Sequence, residues 1–587
     1  MFDTAQFTRA VNHYRQGELQ QALAITREMV EKQVIQFDLF HLHALLSLES
    51  GDYASSLDAF ERADALRPDY PPLLLSWGNY YQRIGDMKTA LSCYDRAIAG
   101  QSDYADAHYN RGNILALSGD MDGAITAFER VLQLNPNHTA ARNNLGSVLI
   151  DRGDIDAAIA TLQQTLQLRR NYTLAHSNLL CAMHYHPDIT ATDLAVQFRQ
   201  WRENNFINYP PITKTATADQ RPLKMGLLSG ALHTHPALWL SIAAFEQLNR
   251  EQFALYGYSF GTKPDRMTAR LRQCCVLWRE LSNQSDAAIT AQIRRDEIDI
   301  LIDMAGHMQG RPLVAVMRAA PVQVKWVGGL FNTTGIKQMD WLISDEVETP
   351  EGCDAGFTEQ IYRMPHSYIC YSPPQISPPV TELPALKTGQ LTLGCFNNPA
   401  KINQKLVIWW AKILRQLPQS RLLLKGKAYC SSVVKTRLRQ WFQLQGVASE
   451  RIIFETFSPH AELLNTYGKI DLALDPWPYS GGLTTIEALW MGVPTVTLPR
   501  PTFAGRHAAS HLVNAGLGDW VVDSEAAYVE KVVWYSGHLE QLSELRRDLR
   551  QRLLDSPLCD ARQFTRDFER GLLRMWHQYC DHQNILN

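Results

Sequence analysis

At 587 residues the chain exceeds what one hydrophobic core serves, so two to four domains are expected. Its hydrophobic fraction of 45% and charged fraction of 20% are those of an ordinary globular protein. A net charge of −3 argues against nucleic acid or an anionic membrane surface as the main partner.

The N-terminal stretch has no basic start followed by an apolar run, so no secretory signal is expected. From there a period of 34 residues sets in: Gly17, Gly51, Gly85, Gly119 and Gly153, each followed by Asp or Glu. A second glycine recurs at Gly78, Gly112 and Gly146. The surrounding segments, "GDYASSLDAFERADALRP" and "GDMDGAITAFERVLQLNP", resemble tetratricopeptide repeats. Each unit would be two antiparallel helices, with glycines serving the turn or a close helix approach. Such an array is an all-α superhelix whose concave face suits a peptide. Asn110, Asn144 and Asn178 fall on the inner helix and are candidates to grip an acceptor backbone, since an amide both donates and accepts. Bracing of neighbouring helices is the alternative use.

The pattern decays after Arg169, and "NYTLAHSNLLCAMHYHPD" resembles an unfinished repeat that caps the array. The repeats are assigned to 1–187 and a linker helix to 188–222, with the boundary near the polar, proline-bearing segment at 208–222. Short β-rich runs then alternate with helices. "LKMGLLSG", "FALYGYSF", "IDILIDMAG", "VQVKWVGG" and "DWLISD" are expected strands of a half spanning 223–384. "LTLGCFNN", "SRLLLKGK", "RIIFETF", "IDLALDP" and "TVTLP" belong to a half spanning 385–587. Two parallel, doubly wound sheets of Rossmann type follow, with ligands expected beyond the carboxyl ends of their strands.

In the second half "YSGGLTT" precedes an apolar helix, "IEALWMG". Unpaired N–H groups there would seat a phosphate, or the threonine would simply cap the helix. The spacing is not Walker A, and no GxGxxG fingerprint follows a strand.

"LALDPWPYSGGLTTIEALWMGVPTVTLPRPTFAGRHAASHL" resembles the signature of the O-linked N-acetylglucosamine transferase and SPINDLY family, glycosyltransferase family 41. "LLSGALHTHP", "ILIDMAGHMQGR", "AAPVQVKWVGG", "LGCFNNPAKIN" and "RIIFETFSPHAELLNTY" support it in the family's order. The resemblance implies a GT-B pair of Rossmann-like domains and sugar transfer from a nucleotide sugar to Ser/Thr of acceptor proteins, inverting and metal-independent. No other cofactor is implied. UDP-N-acetylglucosamine is the first choice of donor. A protein O-fucosyltransferase or other hexosyltransferase is the alternative, and an inactive tetratricopeptide scaffold a second.

By the same resemblance Lys401 contacts the donor diphosphate, where a fixed ammonium offsets charge growing on the leaving group. Asn398, Ser458, His460, Gly481, Gly482, Leu483, Thr484, Thr485 and Glu487 would hold the nucleotide sugar, Glu487 through the ribose hydroxyls. His235 matches a histidine beside the donor sugar, as general base or positioning group. His307 and Gly328 would line the cleft, and Tyr479 would stand beside the N-acetyl group, where a phenol narrows the pocket. Leu463 replaces a base-stacking histidine, and His460 a lysine. No metal site is expected. No run approaches about eighteen apolar residues, so no membrane span is expected. Ten scattered cysteines without a CxxC pair point to reduced thiols and a cytoplasmic location.

Overall fold

Each Gly-Asp pair of the repeat is one turn between two helices. Gly51, Gly85 and Gly119 sit in the left-handed region, at φ 83°, 88° and 88°, and close the helices Phe37–Ser50, Pro71–Ile84 and Ala105–Ser118. The next residue, Asp52, Asp86 or Asp120, caps the following helix by accepting from the backbone N–H of Ser55, Thr89 or Gly123. The second glycine of the period does other work. A Cβ on Gly78 would lie 2.4 Å from Tyr94 Cε1, so this glycine admits a bulky ring from the partner helix. The two roles expected of the glycines thus belong to two separate sets.

The computed structural model describes residues 2–205, 222–261, 264–308, 310–329 and 332–586. The expected boundary segment at 208–222 lies almost wholly outside them. The chain divides into two units, Met1–Val148 and Leu149–Asn587. The first consists of helix pairs packed through buried Phe40, Phe60, Tyr80, Tyr94 and Phe128. The division falls inside the helix Thr139–Arg152, earlier than residue 187. The physical reason lies in the next helices, Ile155–Leu168, Thr173–Tyr185 and Ala191–Asn205. On these helices and in the connections between them, Asp154, Asp188 and Trp201 engage Arg437, Lys405 and His307 of the α/β part.

In the second unit the first sheet comprises β1 Leu223–Ser229, β2 Phe253–Ser259, β3 Leu277–Glu280, β4 Ile300–Asp303, β5 Val322–Lys325, β6 Trp341–Asp345 and β7 Gln360–Met364. Their order is β3-β2-β1-β4-β5-β6-β7, all parallel. The second sheet comprises β8 Thr392–Cys395, β9 Arg421–Lys425, β10 Ile452–Glu455, β11 Leu472–Leu474 and β12 Thr495–Val496. Their order is β10-β9-β8-β11-β12, again parallel. The ten expected strands are present. The edge strands β3 and β7 escape the sequence pattern because their residues are half-exposed and mixed in polarity. Both sheets reverse winding direction, between β1 and β4 and between β8 and β11, and a doubly wound sheet opens a crevice at that point.

The C-terminal helix Ala561–Leu586 returns to the first half rather than covering the second. Phe568 packs 4.5 Å from Trp326, Phe564 stacks on the same indole, and Thr565 Oγ1 donates to the Ala244 carbonyl. Phe564, Phe568, Leu572, Met575 and Trp576 form the buried stripe that docks it. Among the described residues no helix is long and apolar enough to cross a membrane.

Candidate active site

The second sheet's switch point brings two loops together. After β8 the chain makes a short 3₁₀ turn, Pro399–Lys401, and after β11 it runs from Asp475 into the helix Leu483–Trp490. Lys401 is only 8% exposed. Its Nζ donates to Asn397 Oδ1 (3.1 Å) and to the Ser480 carbonyl (2.7 Å). Thr484 Oγ1 donates to the same Asn397 oxygen at 2.9 Å. Asn397 therefore joins the β8 loop to the helix start. Asn398, the asparagine expected there, is exposed and spends its side chain capping its own turn at Ala400 N. Two adjacent amides cannot be told apart in sequence; the backbone direction after β8 selects the first.

Asp475 holds the glycine loop in shape. Its carboxylate accepts from Gly481 N at 2.7 Å and from Thr497 Oγ1 at 2.6 Å. Burial pulls Lys401 below the usual lysine range, with the Asp475 charge opposing the shift. Gly482 serves as the N-cap of Leu483–Trp490, with no side chain to fill the space over the first-turn N–H groups. Thr485 Oγ1 turns inward to the Gly481 carbonyl. Tyr479 lies on the other side of Lys401, with Nζ 4.4 Å from its ring centre.

Further along the second half Glu487 is buried, and its Oε1 lies 2.7 Å from His460 Nε2. The His460 ring meets Trp239 of the first half at 5.3 Å. Ser458 Oγ is buried and makes no hydrogen bond.

In the first half His235 caps the short helix Pro236–Trp239, Nδ1 accepting from Ala237 N at 3.2 Å. Burial pulls its pKa down to about 4, so the ring is neutral near pH 7. With Nδ1 as acceptor, the neutral tautomer carries its proton on Nε2 and offers a donor. Gly328 has φ 59°, and a Cβ there would lie 2.1 Å from the Met304 carbonyl oxygen. Lys325 Nζ donates to the carbonyls of Asp303, Val327 and Gly328, pinning that loop. His307 is enclosed: Nε2 contacts the Thr334 carbonyl at 2.7 Å, Nδ1 contacts Ser177 Oγ at 3.1 Å, and Trp201 packs edge-on. It braces helices Thr173–Tyr185 and Ala191–Asn205 against the first half.

The repeat asparagines are engaged as well. Asn110 Nδ2 donates to Asn79 Oδ1 and Asn144 Nδ2 to Asn113 Oδ1, both at 2.8 Å. Each spans to the preceding repeat. Asn178, in the second unit, is half-buried.

Five residues that sequence reading did not assign now surround Lys401 or Tyr479. Asn397, Asp475 and Ser480 were inside quoted motifs, and adjacency alone gave them no role. His507 lies 5.8 Å from Tyr479, ring to ring, and its Nδ1 is 2.5 Å from Glu348 Oε1. Tyr185 approaches Tyr479 at 5.2 Å. Beside His507 a cavity of about 400 Å³ opens between the halves, lined in part by Asn332, Glu348, Phe503 and Arg506. Among the described residues no group of three or more His, Cys, Asp or Glu could hold a metal ion.

Two parallel α/β sheets meeting at the carboxyl ends of their strands, with a lysine and a glycine-opened helix at one switch point, define a GT-B glycosyltransferase scaffold. The chain belongs to glycosyl transferase family 41, whose profile matches residues 203–382 and 382–568. Tetratricopeptide repeat profiles match residues 75–139 and 115–180. A probable UDP-N-acetylglucosamine–peptide N-acetylglucosaminyltransferase SPINDLY of Solanum lycopersicum is 33% identical over 410 residues, 68% of this chain and 44% of that protein. A probable enzyme of the same activity, SEC of Arabidopsis thaliana, is 29% identical over 373 residues, 62% of this chain and 38% of that one. The chain thus spans less than half the length of these curated relatives. A solved variant of the Thermobaculum terrenum O-GlcNAc transferase superposes with a TM-score of 0.82 at 33% identity, covering 87% of this chain and 98% of that one.

Proposed function

We propose that this chain is a protein O-glycosyltransferase that moves a sugar from a nucleotide sugar to Ser/Thr of acceptor proteins, with UDP-N-acetylglucosamine the first choice of donor. The observation that carries the reading is the Lys401–Asn397–Thr484 cluster at the switch point of the second sheet. A nucleoside diphosphate set over the helix start would receive the Lys401 ammonium and the N-terminal N–H groups of the helix as charge develops on it. The unsatisfied hydroxyl of Ser458 and the carboxylate of Glu487 would take polar groups of the nucleotide. His235 acts as a donor that orients the sugar; transfer is inverting and needs no metal. The activities of the relatives support the donor and the protein acceptor. Free thiols at all ten cysteines fit a cytoplasmic setting.

One observation favours a second reading. The Tyr479 ring stands over Lys401, beside the expected N-acetyl site, and so favours a sugar without that group, such as fucose. A thermal-shift panel of UDP- and GDP-sugars, followed by mass spectrometry of acceptor proteins, tests both. A ligand at 100 times its dissociation constant raises stability by about 2.7 kcal/mol, and the added mass identifies the sugar. Absence of any nucleotide shift would sink the enzyme reading in favour of a scaffold.

A further inference from the structure

Tyr479 does not stand over Lys401 unaided. Tyr185, the last residue of the helix Thr173–Tyr185, is 4% exposed and tilts its ring at 40° against Tyr479, centre to centre 5.2 Å. Such a tilted pair is a favourable ring geometry. His507 closes a further side of Tyr479 edge-on. The end of that helix is itself fastened to the second half. Arg500 donates to the carbonyls of His186 (3.3 Å) and Ile189, and Lys405 pairs with Asp188. Arg437 pairs with Asp154 and donates to the Arg152 carbonyl at 2.7 Å. Asp154 shows what this docking displaces. Asp52, Asp86 and Asp120 each cap the helix that follows, whereas the Asp154 side chain makes no cap and turns to Arg437 instead.

An ammonium has three N–H groups. Two of those of Lys401 are spent on Asn397 and Ser480, and an aromatic face covers one open side. We propose that Tyr185 is a positioning residue of the sugar-transfer reaction: it holds the Tyr479 ring over Lys401 and so directs the remaining N–H toward the leaving diphosphate. The inference rests on the proposed function for its role in turnover. Its geometric content, that Tyr185 keeps Lys401 covered, stands separately.

The experiment compares full-length wild type with Tyr185→Ala, Tyr185→Leu and Tyr185→Phe. Labelling of Lys401 by an amine-reactive reagent is followed by peptide mass spectrometry without any donor. Loss of the ring in the Ala and Leu variants should raise the Lys401 labelling rate about tenfold, the scale of a desolvated cation–aromatic contact. The Phe variant, which keeps the ring, should label like wild type. In turnover, Ala and Leu should lower kcat more than they raise KM for the donor, and Phe should restore both. Wild-type labelling in the Ala and Leu variants would overturn the proposal, as would exposure of Lys401 in the Phe variant. The Leu variant keeps apolar bulk and carries the test if Ala does not fold. A wild type that consumes no nucleotide sugar would defeat the functional reading, while the labelling still decides the geometry.

Discussion

Lys401 does three things that an exposed lysine does not: it is buried, it is bonded to Asn397 and Ser480, and it is roofed by Tyr479. Removing it as Lys401→Ala should cut turnover by roughly 10²–10³, the scale of losing one preorganised charge-stabilising donor. Asp475 keeps its bonds to Gly481 and Thr497, so melting should remain cooperative; unchanged kcat would refute the role. The pH profile carries a second test. The working form is the cation, present below the lysine's pKa and lost above it. Burial lowers that pKa, so activity should fade on the alkaline side earlier than a free lysine would dictate, and the limb should be absent in Lys401→Arg. His235, held at about 4, stays neutral from pH 5 to 8 and contributes no acid limb near pH 6.5. If it serves as a donor, His235→Gln should keep activity within about tenfold while His235→Ala loses more. A limb near 6.5 that disappears in both variants would make it a base.

At the scale of elements, the loop after β5 depends on backbone contact. Gly328→Ala places a methyl 2.1 Å from the Met304 carbonyl in a left-handed conformation. Relief requires moving β4 against β5, at a cost on the order of 2–4 kcal/mol, read as a lower denaturation midpoint with unchanged m-value. A midpoint equal to wild type would mean the loop yields freely. The repeat asparagines act between neighbouring helices, so Asn144→Ala should lower the melting free energy by about 1 kcal/mol through its bond to Asn113. Strands with continuous apolar runs, such as "LLLK" of β9 and "ILID" of β4, were legible because burial on both faces demands them. Asn397 was not, since only the direction of the chain leaving β8 distinguishes it from Asn398.

For the whole molecule the decisive question is which helices travel with the catalytic halves. A chain beginning at Leu149 keeps Asp154, Ser177, Tyr185 and Trp201 with their partners and should unfold cooperatively in a denaturant titration. A chain beginning at residue 188 loses Asp154, Ser177 and Tyr185 and should expose Lys401 and Tyr479, with a lower midpoint and weaker donor binding. Equal midpoints for the two chains would show the last repeat to be dispensable. By itself the sequence determined the repeat period, the two parallel sheets and the family, because periodicity and ordered motifs are local properties of the chain. Only the tertiary structure decided that the last repeat packs with the catalytic halves and that the C-terminal helix returns to the first sheet. It also decided which amide meets Lys401 and that Tyr185 stands behind Tyr479. Those are contacts between residues up to hundreds of positions apart, and no local pattern in the chain encodes where a buried face finds its partner.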